Sequence, residues 1–244
     1  RIDTCAEAGC ASGGSFHASG QGLTTVDETA AAGVEGGTGV FVSRTDIIAG
    51  RDIEISGHGG VGAAGVIIDG TSEGPAEGVL SAAGNIALRG TAEDATGSAS
   101  LVRYSVDPGV ALIATGVVAG GDIVIEGTGS NLQAMTESEE GRKLLGDGTI
   151  GAVDGVYLAD TAIAAGAGRS VRIVGEAGSD GIVGDPGGAY GTIRAHGVRV
   201  EQRLEVGTLP SSTVAASGGS VEITGRGSDV WIGWAGGELV PRVD

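Results

Sequence analysis

Asp122-Ile123-Val124-Ile125-Glu126-Gly127 is the stretch from which the fold is read. A polar residue opens it, Ile123 and Ile125 alternate with other side chains, and a glycine closes it. Successive side chains on a strand face opposite ways, so the two isoleucines share one face and Val124 takes the other. Four more segments follow the same pattern: Asp52-Ile53-Glu54-Ile55-Ser56-Gly57, Asn85-Ile86-Ala87-Leu88-Arg89-Gly90, Ser170-Val171-Arg172-Ile173-Val174-Gly175 and Ser220-Val221-Glu222-Ile223-Thr224-Gly225. The opening Asp, Asn or Ser is expected to hydrogen-bond the local backbone, and the closing Gly to take a tight corner. Each copy therefore reads as a short strand with a corner at both ends.

A second family of strands lies between the copies: Val40-Phe41-Val42, Val66-Ile67-Ile68, Val110-Ala111-Leu112, Val156-Tyr157-Leu158, Val198-Arg199-Val200 and Val230-Trp231-Ile232. All but the last follow a glycine directly. The two families alternate along the chain, as successive coils of a stacked repeat would. The first aliphatic positions of the five copies are 53, 86, 123, 171 and 221, giving intervals of 33, 37, 48 and 50 residues. A closed propeller requires a near-constant period, whereas a stack of coils tolerates insertions at its corners. The expected fold is all-β, a right-handed parallel β-helix of about five or six irregular coils.

The long intervals have visible causes. Residues 131–148 hold the most polar run, in which Thr136 and Glu139 fit a capping box and favour a short surface helix or loop. Residues 178–191 are rich in Gly and Asp, and Pro210 marks a further corner. Residues 1–35 fit the pattern poorly and are assigned to an irregular N-terminal edge or cap, with the solenoid over 36–244.

Composition agrees. Glycine occupies 50 of 244 positions, about three times its usual share, and only 2 Trp, 3 Tyr and 2 Phe are present. A narrow cylinder filled by Val, Ile, Leu and Ala suits such a chain, with charges on outward strand positions and corners. The middle template position would stack Glu54, Ala87, Val124, Arg172 and Glu222, with no adjacent like charges. The net charge of −17 argues against nucleic acid and anionic membrane as partners. No apolar run approaches the roughly 18 residues of a membrane helix, so a soluble chain without membrane insertion is expected. The start at Arg1, without a leader, suggests a processed segment whose compartment is inferred indirectly.

Candidate chemistry is sparse. Cys5 and Cys10 are too few for a disulfide scaffold and are expected to close at most one small loop. A carbohydrate-cleaving site would need paired carboxylates, for which Asp180 with Asp185, or Asp154 with Asp160, are the candidates. Each is equally a turn residue beside Gly. Calcium at Asp147, Asp180 or Asp185 lacks the spacing of a known calcium loop. His17, His58 and His196 are scattered, and the run from Gly57 to Gly62 lacks the Lys-Ser/Thr of a phosphate loop. Trp231 and Trp234 suit either a sugar face or the cover of a terminal coil. No catalytic, cofactor-binding or metal-binding residue is assigned, and no cofactor is expected.

The stretches 119–127, Ala-Gly-Gly-Asp-Ile-Val-Ile-Glu-Gly, and 216–225, Ala-Ser-Gly-Gly-Ser-Val-Glu-Ile-Thr-Gly, resemble repeats of the filamentous-haemagglutinin family of large bacterial exoproteins. The resemblance covers about residues 40–233. It implies a β-helical shaft, secretion to the cell surface through an outer-membrane partner, and roles in adhesion, biofilm or toxin delivery. The expected function is a non-enzymatic adhesin segment whose partner is a host-cell or bacterial surface receptor or glycan. The alternatives are a β-helical polysaccharide lyase or hydrolase, and a filament subunit that self-associates end to end.

Overall fold

The computed structural model describes residues 1–4, 13–25, 35–61, 63–71, 78–93, 108–130, 154–178, 192–201 and 212–231. These residues are all-β, with no helix among them, and build three parallel sheets. The first sheet orders β1 (Ile2–Asp3), β6 (Ile47–Ala49), β9 (Gly78–Ala82), β12 (Thr115–Ala119), β15 (Ala162–Ala165) and β19 (Thr213–Ala216). The second holds β2 (Phe16–Gln21), β7 (Ile53–Val61), β10 (Ile86–Glu93), β13 (Ile123–Thr128), β16 (Val171–Glu176) and β20 (Val221–Arg226). The third runs β5 (Val40–Ser43), β8 (Val66–Asp69), β11 (Val110–Ile113), β14 (Val156–Ala159) and β18 (Val198–Glu201). Between β2 and β5 the chain makes a short antiparallel pair, β3 (Thr24–Thr25) with β4 (Glu35–Gly36). From β5 to β16 it visits the three sheets in rotation, an arrangement consistent with a parallel β-helix.

All five template copies fall in the second sheet and in one register: Ile53, Ile86, Ile123, Val171 and Val221 are successive partners. A sixth copy, Ser15-Phe16-His17-Ala18-Ser19-Gly20, adds β2 with Phe16 opposite Ile53 and Ala18 opposite Ile55. Its large-then-small pair replaces the usual two aliphatics and hides it from a search for Ile, Val or Leu.

The third sheet is the second strand family, again in register, except for its last expected member. β21 (Ser228–Trp231) instead pairs antiparallel with β17 (Thr192–Ala195). The missing glycine explains the departure. Within each circuit the template glycine packs on the carbonyl of the glycine that opens the next strand, so a Cβ at Gly127 would lie 2.0 Å from Gly155 O. The same contact recurs between Gly57 and Gly65, Gly90 and Gly109, and Gly175 and Gly197. The second glycine is itself pressed on backbone, a Cβ at Gly155 lying 2.3 Å from Glu176 N and one at Gly197 2.2 Å from Arg226 N, and Asp229 stands where that glycine would be, so the corner cannot close in the same way.

The first sheet corrects the two-family reading, in which its strands pass for runs of small residues. One long aliphatic and one alanine face inward on each strand after β1, for example Leu80 with Ala82 and Val117 with Ala119. A single core results, lined by Ile47, Ile55, Leu88, Leu112, Ile125 and Ile173 among others, with the ring of Phe16 partly buried against it.

The opening polar residue also acts differently from expectation. It serves the next strand of the stack, not its own turn. Asn85 N–H donates to Asp52 Oδ1 at 2.7 Å, Asp122 N–H to Asn85 Oδ1 at 2.9 Å, and Ser170 N–H to Asp122 Oδ1 at 2.8 Å. Ser220 Oγ then donates to Ser170 Oγ at 3.0 Å. A short side chain with an acceptor oxygen is what this position requires, which is why Asp, Asn and Ser alternate there. At the opposite corner Arg44, Ala114 and Asp160 hold positive φ, and the following Thr45, Thr115 and Thr161 each donate an Oγ1 hydrogen bond to the carbonyl two residues earlier.

Candidate functional site

The outward face of the second sheet carries a continuous row of alternating basic and acidic side chains, one per strand. His17 Nδ1 lies 3.3 Å from Glu54 Oε2, and Glu54 Oε1 lies 3.3 Å from Arg89 Nη1. Arg89 Nε reaches Glu126 Oε2 at 3.1 Å, Arg172 Nη1 reaches Glu126 Oε1 at 2.7 Å, and Arg172 Nε stands 3.9 Å from Glu222 Oε2. Parallel register at about 4.8 Å per strand makes this possible, because side chains from adjacent strands stand side by side. Burial alone would raise the Glu126 carboxyl, but hydrogen bonds and charge from Arg172 and Arg89 outweigh it and hold the group below its ordinary value of 4.5.

Beside this row an open groove of about 460 Å³ runs over β2, β7 and β10, lined by Ser19, Gln21, Ser56, His58, Arg89 and Thr91 with Gly20 and Gly57 as its floor. Hydroxyl, amide, imidazole and guanidinium groups stand there in two rows. Such a lining offers hydrogen-bond donors and acceptors, and Arg89 is held in place by its two carboxylates.

A second polar cluster surrounds Asp154, only 1 % exposed, at the start of β14. Its Oδ1 accepts the backbone N–H of His196 at 2.8 Å and stands 3.0 Å from His196 Nδ1, while Oδ2 is 3.8 Å from Arg199 Nη1. Burial pushes the Asp154 carboxyl above its ordinary 3.8, against the opposing pull of His196 and Arg199. Arg199 also covers the Tyr157 ring, 5.5 Å from its centroid, and pairs with Glu201, which takes the Tyr157 hydroxyl. The guanidinium therefore occupies one face of that ring. Asp154 precedes β14 and Asp160 follows it, about 20 Å apart along an extended chain, beyond the separation at which two carboxylates share one glycosidic bond.

The remaining candidates are dispersed. His17 belongs to the charge chain and His58 to the groove, and residues 57–61 are strand, not a phosphate loop. Cys5, Cys10, Asp147, Asp180, Asp185 and Trp234 lie outside the described residues, and Trp231 is described through its backbone pairing alone. Among the described residues no group of three or more His, Cys, Asp or Glu could hold a metal ion. Sequence reasoning does not single out Arg89, Glu126, Arg199 or Glu201. Aligning the second outward position of the template, which sets Arg89 beside Glu126, is the signal that finds the first two.

Topology places the longest connections on one edge. The four longest connections, 22–39, 94–109, 129–155 and 177–197, all run from the second sheet to the third. The polar runs 131–148 and 178–191 lie within the last two. The connections from the first sheet to the second at 50–52, 83–85 and 120–122 are short. The parallel three-sheet stack is consistent with a stacked β-repeat architecture. Neither a scan of protein-family models nor comparison with curated proteins and with solved structures finds a match to this chain.

Proposed function

We propose that this chain is a segment of a right-handed parallel β-solenoid of five or six coils that acts as a secreted or surface-displayed, non-enzymatic adhesin-type scaffold. The observation that carries the reading is the convergence of the four longest connections on one edge of a register-locked stack. Loops anchored on a rigid scaffold vary in length and chemistry without disturbing what holds them. The partner in this reading is a surface receptor or glycan, met by the second-to-third-sheet edge and the adjoining groove. The resemblance to filamentous-haemagglutinin repeats supports the same assignment, including export through an outer-membrane partner.

The test replaces 131–148 and 178–191, separately and together, with short Gly-Ser links and measures binding to intact cells and to a glycan panel. The reading expects binding by the parent chain, loss of it in the replaced chains, and unchanged circular dichroism and melting. Undiminished binding by the doubly replaced chain overturns it. Release of reducing sugar from a polysaccharide, abolished by Asp180→Ala with Asp185→Ala, overturns it in favour of a carbohydrate-active enzyme.

A further inference from the structure

Among the described residues the two ends of the stack are left open in matching ways. At one end, Val221 and Ile223 of β20 are 45 % and 49 % exposed, although they occupy the positions at which Val171 and Ile173 are fully buried. At the other end, Ile2 of β1 holds the inward position of the first sheet and is exposed, and Phe16 and Ala18 of β2 are partly so. Each end also presents a parallel-strand edge, a ready template for another strand.

We propose that these ends meet: the β1 and β2 edge of a second copy of this chain seats on the β19 and β20 edge of the first, continuing the first and second sheets head to tail. The register of the existing pairs carries the argument. Extending it by one step sets Phe16 against Val221, Ala18 against Ile223, and Ile2 against Val214, all apolar on apolar. On the outward face the same step sets His17 against Glu222, Ser19 against Thr224, and Gln21 against Arg226. None of these pairs is like-charged. Glu222 is the acidic end of the charge chain and His17 its opposite end, so the junction repeats the His17 to Glu54 contact already made within the chain.

Backbone hydrogen bonding extends equally. Val171 N–H donates to Ser220 O, and Phe16 N–H to Asp52 O, so Val221 N–H at the junction would find Ser15 O of the second copy in the equivalent place. The third sheet does not continue, because β21 turns away to pair with β17. The contact is heterologous, the same two unlike edges each time, and therefore open-ended. This inference stands apart from the binding role of the loops.

Sedimentation velocity of the whole chain over a concentration series tests it, together with Ile223→Lys, Glu222→Lys and His17→Glu. Circular dichroism confirms that each variant folds, since all three positions are exposed. The expected result is a mass distribution that lengthens with concentration, shifts at least tenfold to higher concentration in Ile223→Lys, and weakens in either charge variant alone. Mixing the Glu222→Lys chain with the His17→Glu chain restores pairing, because the introduced lysine of one copy then faces the introduced glutamate of the other across the junction. A parent chain that stays monomeric to millimolar concentration overturns the proposal. So does association that none of the three substitutions alters, which would place the contact on another surface.

Discussion

Arg89 stands between Glu54 and Glu126, with Nη1 3.3 Å from one carboxylate and Nε 3.1 Å from the other, so three consecutive strands are tied by one guanidinium. All three side chains are half exposed, and each pair is worth little alone in water. Arg89→Ala is expected to lower stability by about 1 kcal/mol at low salt, and Arg89→Glu by more, since it places three acids together. Urea unfolding at low and at high NaCl checks this, and both penalties should shrink at high salt.

The corner glycines act through close backbone approach. Gly127→Ala places a Cβ 2.0 Å from Gly155 O and 2.8 Å from Gly155 C, backbone atoms that cannot swing aside, and 2.9 Å from Val156 Cγ2. A loss of about 3 kcal/mol, or failure to fold, is expected. Gly116→Ala is the control: its Cβ would meet only Val79 at 3.8 Å, and its backbone is ordinary strand. That substitution should be neutral or stabilise by up to about 1 kcal/mol. Thermal melts of the two variants give the comparison.

Asp154 predicts a pH dependence of definite sign. Burial raises its folded pKa above 3.8, so the folded state binds this proton more tightly than the unfolded chain does. Stability from this group is then present below 3.8 and is lost as pH rises through the raised value. Asp154→Asn keeps an acceptor for the His196 N–H without the buried charge, and should match or exceed the parent at neutral pH, with the difference shrinking as pH falls. Asp154→Ala removes the acceptor and should cost about 2 kcal/mol. Chemical unfolding from acid to neutral pH decides both.

Glu126 contributes in the opposite direction. Its folded pKa lies below 4.5, so its stabilisation is present above that value and is lost as pH falls through the lowered one. Glu126→Gln should flatten the acid limb of the stability curve and weaken the protein slightly at neutral pH, which the same unfolding series measures.

Much of this is legible in the residues, and what is not has physical reasons. Template strands announce themselves because two long aliphatics alternate between a polar opener and a glycine. In the first sheet an inward alanine replaces one of them, and Ser81-Ala82-Ala83-Gly84 then reads as a linker. Phe16 and Ala18 conceal the first copy by exchanging volume between two inward positions. Asp52, Asn85 and Asp122 read as local turn formers, because a single sequence shows a polar residue beside a turn but not the N–H one circuit away. Asp154 is visible only as a carboxylate beside Gly155; its burial and its contact with His196 arise from residues 42 positions apart brought together by the stack.

Register is the claim on which everything else rests, and paired cysteines test it directly. In a chain carrying Cys5→Ser and Cys10→Ser, Ala87→Cys with Val124→Cys sets two outward thiols on adjacent strands, about 4.8 Å apart at Cα and within disulfide reach. Ala87→Cys with Glu126→Cys shifts the pairing by two residues, to about 8 Å, beyond that reach. Mild oxidation followed by mass spectrometry should show rapid intramolecular closure of the first pair and little of the second. Equal closure of both, or closure of the second alone, would contradict the stacked register.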